Sequence, residues 1–195
     1  MNLDLKSAYE KGLRYAREHK PITTDLLREL AGLVMKNTGS EYHTAFGDFS
    51  SAKGDFRLLN VTAGVGGKSY MSFTKIQAKL NEFCDRLNER HHKLSELTEE
   101  EKYNLSFEEH YRLVTIHPWA DGNGRMARLL MNMLQVEGGI IPSKVLSSHK
   151  VEYIKSLVET REQEDLTIFT SFMTQMLEYQ FRKEIEAFKS SINQE

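Results

Sequence analysis

Two helical patterns meet in the middle of the chain at the sequence Ile116-His117-Pro118-Trp119-Ala120-Asp121-Gly122-Asn123-Gly124-Arg125-Met126-Ala127-Arg128. Because Pro118 disfavours helical geometry in the residue before it, the first helix is predicted to end at His117. The second helix is predicted to begin near Asn123, after glycine has allowed the backbone to turn. Trp119, the only tryptophan, is expected to turn into the core and anchor the loop between the two helices.

The same segment carries polar groups that suit phosphate chemistry. The residues Gly122–Gly124 can adopt positive φ angles and present backbone N–H groups to an anion, at the positive end of the second helix. Arg125 and Arg128 lie three residues apart, so both guanidinium groups can share one helix face. Asp121 supplies a carboxylate of the kind that holds Mg²⁺ beside phosphates. Together with His117, these groups predict a phosphate-transfer site.

Each of these features also has an ordinary structural explanation. A histidine before proline often caps or packs, Gly-Asn-Gly often marks a turn, and helix arginines are usually solvated or paired with glutamate. Their occurrence together within residues 117–128 favours the phosphate-transfer interpretation. A second sequence, Gly67-Lys68-Ser69, resembles the end of a P-loop, but Thr62 replaces the first glycine and a strand-like segment follows. We predict a flexible turn there.

Apolar residues recur at helical spacing in most of the remaining chain. Residues 38–54 are predicted to form a loop, and residues 55–61 and 70–74 are predicted to pair as the only β-hairpin. The fold class is therefore predicted to be all-α, a helical bundle with one appended hairpin. Helices are predicted over residues 3–19, from a cap at Thr23 or Thr24 to Val34, from Ile76 to Leu87, after a capping box at Thr98 and Glu101, from Met126 to Leu134, and over residues 148–158 and 166–188.

Length and composition restrict the class of protein. A chain of 195 residues fits one domain. Lys and Arg number 26 against 28 Asp and Glu, and the formal charge of −2 argues against direct nucleic-acid binding and against binding to anionic membranes. The single Cys84 excludes an internal disulfide and a cysteine-based zinc site. Because the sequence shows no apolar leader and no stretch long enough to span a membrane, a cytoplasmic protein is expected.

The sequence from His117 to Arg128 resembles the signature of the Fic (filamentation induced by cAMP) family, H-x-F-x-[DE]-G-N-G-R-x-x-R. Every functional position matches. Trp119 stands where phenylalanine is usual, a difference that should affect packing more than chemistry. The resemblance implies a single Fic domain over residues 1–195, with its core at about residues 50–180, a Fic-fold helical bundle and a hairpin that serves as a flap.

The resemblance implies a protein adenylyltransferase, which transfers AMP from ATP to a Tyr, Ser or Thr hydroxyl of a target protein. His117 would be the general base, and an unshifted histidine pKa would suit proton transfer near neutral pH. Asp121 would hold Mg²⁺ at the phosphates of ATP.

The phosphate groups are assigned by the same resemblance. Gly122, Asn123 and Gly124 would bind them through backbone amides, and Asn123 would also offer its side chain. Arg125 would neutralise charge on the transferring and leaving groups, and Arg128 would bind the γ-phosphate.

The flap is expected to dock the target protein by β-augmentation, in which its exposed edge pairs with a target segment. Tyr153 would form a wall of the nucleoside pocket. The predicted docking residues are Phe56, Arg57, Leu58, Leu59, Tyr70 and Met71.

Many Fic proteins carry an inhibitory helix with the pattern [ST]-x-x-x-E-[GN]. Ser191 and Glu195 have this spacing near residues 189–195, and Glu195 could pair with Arg128. The alternatives are a solvated C-terminus, inhibition by Glu178, which follows Thr174 at the same spacing, and a separate antitoxin.

Family analogy suggests a bacterial type II topoisomerase subunit as the target, together with self-modification and homo-oligomers. Two other interpretations stay open at this point. One is a Fic-fold enzyme that transfers phosphate, UMP or phosphocholine, or that removes AMP. The other is a toxin-like or non-enzymatic binding module that an antitoxin holds inactive.

Overall fold

Seven α-helices and one pair of strands make up the regular structure of residues 3–63 and 67–192, which are the residues described by the computed structural model. The strands β1 (Glu41–Thr44) and β2 (Gly47–Ser50) pair antiparallel, with Tyr42 opposite Phe49. The predicted all-α class with one hairpin is confirmed. The helices are α1 (Leu3–Arg17), α2 (Thr24–Met35), α3 (Ile76–His91), α4 (Glu99–Ile116), α5 (Asn123–Glu137), α6 (Lys150–Gln163) and α7 (Leu166–Ile192).

Local sequence signals predict the starts of α2 and α4 correctly. The hydroxyl of Thr23 accepts a hydrogen bond from the amide of Leu26 at 3.1 Å and caps α2. Thr98 and Glu101 form the predicted capping box at the start of α4. These contacts satisfy amides that have no partner inside the helix, which is why short polar patterns predict helix starts so well.

The position of the hairpin was predicted wrongly. The strands lie within residues 41–50, which were expected to be a loop, and the rings of Tyr42 and Phe49 stack across them with centroids 4.7 Å apart. Residues 55–61 and 70–74 do lie side by side, but the described residues of this region have one isolated bridge, between Thr62 and Ser69, in place of a ladder. The name flap is kept here for the described residues 55–63 and 67–74.

The guanidinium of Arg57 explains why the flap is not a regular ladder. It donates hydrogen bonds to the carbonyl oxygens of Leu59 at 2.6 Å and Met71 at 2.7 Å. The side chain of Asn60 accepts the amide of Phe73. Backbone groups that a β-ladder would pair with each other are therefore paired with side chains.

The helices α4 and α5 pack between two apolar clusters. One cluster joins them to α1, α2 and α3, and the other joins them to α6 and α7. The segment between α4 and α5 is consequently fixed by helices from both halves of the chain. Examples from the two clusters are Leu27, Leu80, Leu113 and Leu130 in the first, and Phe107, Met131, Phe169 and Met173 in the second.

Among the residues that the structure describes, none of the helices combines the length and the apolar character needed to cross a membrane.

Candidate active site

His117 occupies the turn that ends α4. Its backbone adopts the left-handed conformation, with φ 52° and ψ 58°, and its amide donates to the carbonyl of Leu113 at 3.2 Å. This conformation is uncommon for a residue other than glycine, and it directs the chain out of the helix before Pro118. The imidazole is thereby carried at the start of the loop that leads to α5.

The hydrogen bonding of the imidazole defines its tautomer. The Nδ1 atom lies 3.2 Å from the carbonyl oxygen of Val114. Because a carbonyl oxygen can only accept, Nδ1 must carry the proton. The Nε2 atom of the neutral ring therefore has a free lone pair and can accept a proton.

The pKa of His117 is not the unshifted value that was expected. Burial, helped by the nearby charges of Arg57 and Arg161, lowers this pKa from 6.5 to about 4, while the hydrogen bond to Val114 and the charge of Asp121 oppose the shift. The ring of Tyr70 covers the imidazole, with ring centroids 3.9 Å apart and an interplanar angle of 18°. The imidazole is consequently neutral at pH 7.

The loop between α4 and α5 is fixed by Trp119 and Asn123. Trp119 is buried, as predicted, and its Nε1 donates to the carbonyl of Gly54 at 3.2 Å. The side-chain oxygen of Asn123 accepts the amide of Trp119, and its side-chain nitrogen donates to the carbonyl of Trp119. Each polar atom of the Asn123 side chain thus makes one hydrogen bond within the loop. Because the side-chain amide nitrogen carries two N–H groups, the second can still donate to a phosphate, and that role of Asn123 stays a prediction.

The N-terminus of α5 faces the space beside this loop. Gly122 adopts φ 85° and accepts the first hydrogen bond of the helix, from the amide of Met126 at 2.9 Å. The amides of residues 123–125 come before this bond and have no partner within the helix. Gly122 alone of the three predicted nest residues has a positive φ angle. Its amide donates to the Asp121 side chain at 2.6 Å.

The two arginines of α5 have different surroundings. The Nη2 atom of Arg125 lies 3.3 Å from the Asp121 carboxylate and 2.9 Å from the sulfur of Met35. Arg128 extends back along the helix, so that a Cβ atom on Gly124 would lie 3.4 Å from its Nη1 atom. The guanidinium carbon of Arg128 is 5.8 Å from the centre of the Tyr153 ring.

Asp121 has the donor chemistry that Mg²⁺ requires. Its carboxylate is 62% exposed and can present oxygen to the space in front of α5. Within residues 3–63 and 67–192, no three His, Cys, Asp or Glu side chains gather into a metal site. A Mg²⁺ ion at Asp121 would therefore need phosphate and water oxygens as further ligands, which is its usual arrangement in nucleotide-binding enzymes.

Sequence reasoning assigned the wrong role to Arg57. It was expected to dock a target, but its side chain is completely buried. Its Nε donates to the carbonyl of His117 at 2.8 Å, and its amide donates to the carbonyl of Pro118 at 3.0 Å. Burial lowers the pKa of Arg57 from its ordinary value. Arg57 therefore joins the flap to the turn that carries His117, and no local sequence pattern predicts such a contact.

A cavity of about 460 Å³ extends from His117 along α6. Its walls are mostly apolar or aromatic, and Arg161 lies at its edge. Tyr153 was expected to line a pocket here, but it packs inside the core, where its hydroxyl is 2.8 Å from Nε2 of His110. The walls include Tyr70, Tyr111, Ile154, Leu157 and Val158.

The other predicted residues differ in accessibility. Phe56 and Met71 are half-buried and pack against the core, and Leu58 and Leu59 are also half-buried. Ser191 lies in the last turn of α7, where its hydroxyl donates to the carbonyl of Phe188 at 2.7 Å. Glu195 lies outside the residues that the structure describes.

The family comparison matches the part of the chain that carries this site. A model of the Fic/DOC family matches residues 21–135, more than half of the chain. Protein adenylyltransferase fic-1 of Caenorhabditis elegans is 37% identical over 82 residues, which are 42% of this chain and 16% of that protein. Protein adenylyltransferase Fic of Aedes aegypti is 39% identical over 69 residues, 35% of this chain and 14% of that protein. The matches thus span less than a fifth of either relative.

Solved structures have the same fold over most of the chain. A Fic domain containing signaling protein from Bacteroides thetaiotaomicron superposes with a TM-score of 0.74 and 24% identity, over 89% of this chain and 66% of that one. A fragment of Fic-1 from Caenorhabditis elegans superposes with a TM-score of 0.67 and 25% identity, over 94% of this chain and 51% of that one. BepC of Bartonella tribocorum, a structure with bound AMPPNP, superposes with a TM-score of 0.60 and 15% identity, over 88% of this chain and 83% of that one.

Proposed function

The chain belongs to the Fic/DOC family, and we propose that it is a protein adenylyltransferase, which transfers AMP from ATP to a hydroxyl group of a target protein. The observation that carries this proposal is the neutral imidazole of His117, placed at the loop that leads directly to the N-terminus of α5 and its two arginines. The relatives that are named protein adenylyltransferases support the same activity.

His117 acts as the general base in this proposal. Its Nδ1 proton is held by the carbonyl of Val114, so the Nε2 lone pair accepts the proton of the target hydroxyl. The hydroxyl oxygen then forms a bond to the α-phosphorus of ATP, the bond from that phosphorus to the bridging oxygen breaks, and pyrophosphate leaves. Because the imidazole is already neutral, no proton has to be removed from it before the reaction.

The phosphates of ATP are proposed to bind at the start of α5. The amides of residues 123–125 and the helix dipole favour an anion there. Arg125 neutralises charge on the transferring and leaving phosphates, and Arg128 binds the γ-phosphate. Asp121 would hold a Mg²⁺ ion, which supplies charge neutralisation to the phosphates when bound. The ion pair between Asp121 and Arg125 keeps the two groups in place before ATP arrives.

The cavity along α6 is the proposed site of the nucleoside. Its aromatic and aliphatic walls suit a flat, largely apolar purine base, and it opens beside His117, where the α-phosphate must lie. The BepC structure, which contains an ATP analogue in a protein of the same fold, is consistent with a nucleotide site in this fold.

The exposed parts of the flap residues are the proposed docking site for the target. Phe56, Leu58, Leu59, Tyr70 and Met71 stay in this proposal, because each is at least partly exposed. Arg57 is removed from it because its guanidinium is buried under the flap.

Transfer of label from ATP tests the proposed reaction. The protein is incubated with Mg²⁺ and a cell lysate, with ATP labelled either at the α- or at the γ-phosphate, and the label that the lysate incorporates without the protein is subtracted. We expect label on protein only from α-labelled ATP, and none from His117→Ala protein. Lys155→Ala is the matched control, because Lys155 is exposed on α6 and its ammonium group pairs with Glu159 one turn along the same helix. Label from γ-labelled ATP, or equal labelling by His117→Ala protein, would contradict the proposal.

A further inference from the structure

Two residues behind Arg128 form a buried polar pair that the reaction itself does not use. Tyr153 of α6 and His110 of α4 are both buried, and the Tyr153 hydroxyl lies 2.8 Å from Nε2 of His110. Arg128 approaches Tyr153 from α5, and its guanidinium carbon lies 5.8 Å from the centre of the Tyr153 ring. Burial raises the pKa of Tyr153, and the charge of Arg128 opposes that rise. Arg128, Tyr153 and His110 therefore form a chain across three helices.

The direction of the hydrogen bond between Tyr153 and His110 follows from the charge of Arg128. The guanidinium beside Tyr153 is a cation with donors only, so it favours the oxygen side of the hydroxyl group and directs the Tyr153 proton toward His110. The Tyr153 proton is then available to His110, whose Nε2 must be the accepting atom. His110 is consequently neutral and carries its proton on Nδ1. Burial, together with the charge of Arg128, lowers the pKa of His110 to about 3, so the neutral form is the stable one.

The cost of this arrangement distinguishes it from ordinary packing. Nδ1 of His110 is buried and has no hydrogen-bond partner among the residues that the structure describes. An apolar residue would fit the surroundings of His110 without this penalty, since the ring packs against Phe169 with centroids 5.1 Å apart. Tyr103, in the same apolar cluster, shows the simpler solution, because its hydroxyl donates to the backbone carbonyl of Ile141 at 2.8 Å.

We propose that Tyr153 and His110 are positioning residues that hold the guanidinium of Arg128 in the orientation in which it binds the γ-phosphate. The guanidinium is only half-buried and its long side chain would otherwise sample many rotamers. The Tyr153 ring, held by its hydrogen bond to His110, lies on one side of the guanidinium group, while Nη1 reaches Gly124 at the N-terminus of α5, 3.4 Å from the position of a Cβ atom there. This inference rests on the proposed function, which assigns the γ-phosphate to Arg128.

Binding of ATP and of AMP by the full chain separates positioning from packing, because AMP has no γ-phosphate. Both affinities are measured in Mg²⁺ buffer by calorimetry, with His117→Ala in every protein so that no AMP is transferred. The variants are Arg128→Ala, Tyr153→Phe, His110→Leu and the double variant Arg128→Ala with Tyr153→Phe. Tyr103→Phe is the matched control, since it removes a hydroxyl from the same cluster without touching Arg128.

We expect Arg128→Ala to weaken ATP binding about tenfold or more. Tyr153→Phe and His110→Leu should each weaken it about threefold to tenfold and leave AMP binding within about twofold. In the double variant, Tyr153→Phe should add almost nothing to the loss caused by Arg128→Ala, because the two residues act as one unit. Tyr103→Phe should change neither affinity.

Three results would overturn the inference. Tyr153→Phe and His110→Leu could match the Tyr103→Phe control while Arg128→Ala weakens ATP, in which case the positioning role is wrong and the proposed function stands. Equal losses of ATP and AMP binding would indicate a packing defect instead. If Arg128→Ala itself leaves ATP binding unchanged, the γ-phosphate assignment in the proposed function fails as well.

Discussion

His117 is held in its reactive form by three separate contacts. Tyr70 covers one face of the ring, the carbonyl of Val114 fixes the Nδ1 proton, and Arg57 binds the carbonyl of His117 itself. The low pKa makes the imidazole a weaker base than free histidine, but it guarantees that the ring is unprotonated when a hydroxyl arrives. The position of the imidazole beside the hydroxyl group then has to provide the acceleration that its weak basicity does not.

The fully buried His110 and the half-buried His117 make the stability of the fold depend on pH. Burial lowers the pKa of His117 to about 4 and that of His110 to about 3, from 6.5. Below pH 6.5 the unfolded chain therefore binds more protons than the folded chain, so stability is complete above pH 6.5 and falls as the pH decreases toward 4. The expected slope approaches about 1.4 kcal/mol per pH unit for each histidine.

Denaturant unfolding at pH 7, 6 and 5 measures this slope. His117→Gln should reduce it by about half, because one of the two groups no longer titrates. A free energy of unfolding that stays constant from pH 7 to pH 5 would show that neither histidine is as shielded as the structure indicates.

Arg57 provides a second test at the level of one residue. Replacement by methionine leaves the carbonyls of His117, Leu59 and Met71 without their donor. We expect a loss of at least about 3 kcal/mol in the free energy of unfolding. Transfer activity should fall by a larger fraction than the free energy of unfolding does, since the turn at His117 is released. Arg112→Met is the control, because that arginine is 43% exposed and its Nε atom is as far as 4.0 Å from the carboxylate of its partner Glu109. Similar stabilities for the two variants would contradict this role.

At the level of elements, the flap is held by arginines on two sides. Arg57, itself a flap residue, bonds to backbone carbonyls within the flap. Arg161 of α6 donates to the carbonyls of Lys68, at 3.1 Å, and Ser69. The guanidinium of Arg161 also lies 4.9 Å from the centre of the Tyr70 ring, which in turn covers His117. The closed position of the flap over the cavity thus depends on α6.

Arg161→Ala should release the flap while the helical bundle stays intact. The amides of Ala63 and Tyr70, which bond to the carbonyls of Lys68 and Val61, should lose protection in hydrogen exchange. The protection of amides in α4 and α5 should not change. Lys155→Ala on the same helix is the control, and unchanged exchange at Ala63 and Tyr70 in the Arg161→Ala protein would show that other contacts hold the flap.

Gly54 joins α2 to the loop that carries Trp119. It has φ 74°, its carbonyl accepts the Trp119 indole, and a Cβ atom on it would overlap the backbone carbonyl of Arg28. Gly54→Ala should therefore destabilise the protein by several times the effect of Gly139→Ala. Gly139 has a similar φ of 71° but nothing within 4 Å of its Cβ position, so only the backbone strain of about 1 kcal/mol applies there. Equal melting temperatures for the two variants would contradict this close approach.

On the scale of the whole molecule, the features predicted correctly are those that neighbouring residues determine. The caps at Thr23 and Thr98 and the turn between His117 and Asn123 depend on contacts within a few residues, so their spacing is visible in the sequence. The strands were predicted in the flap instead of residues 41–50 because the sequence does not show that the Arg57 side chain bonds to the flap carbonyls that a β-ladder would pair. Its buried contacts reach residues 14 and 60 positions away along the chain.

The site follows the same division. The order of His117, Asp121, Arg125 and Arg128 could be recognised from spacing alone. The low pKa of His117, the use of the Asn123 side chain within the loop and the pairing of Tyr153 with His110 could not. These features arise where α4, α5, α6 and the flap meet, and burial at that junction depends on the complete fold.

Mass spectrometry of the protein products after incubation with ATP and Mg²⁺ tests the central claim most directly. The account predicts a 5′-AMP adduct on a Tyr, Ser or Thr hydroxyl of a target protein or of the chain itself. The adduct should be absent with His117→Ala protein and unaffected by Lys155→Ala. An adduct of phosphate or of another nucleotide, or an AMP adduct that His117→Ala protein forms equally well, would contradict it.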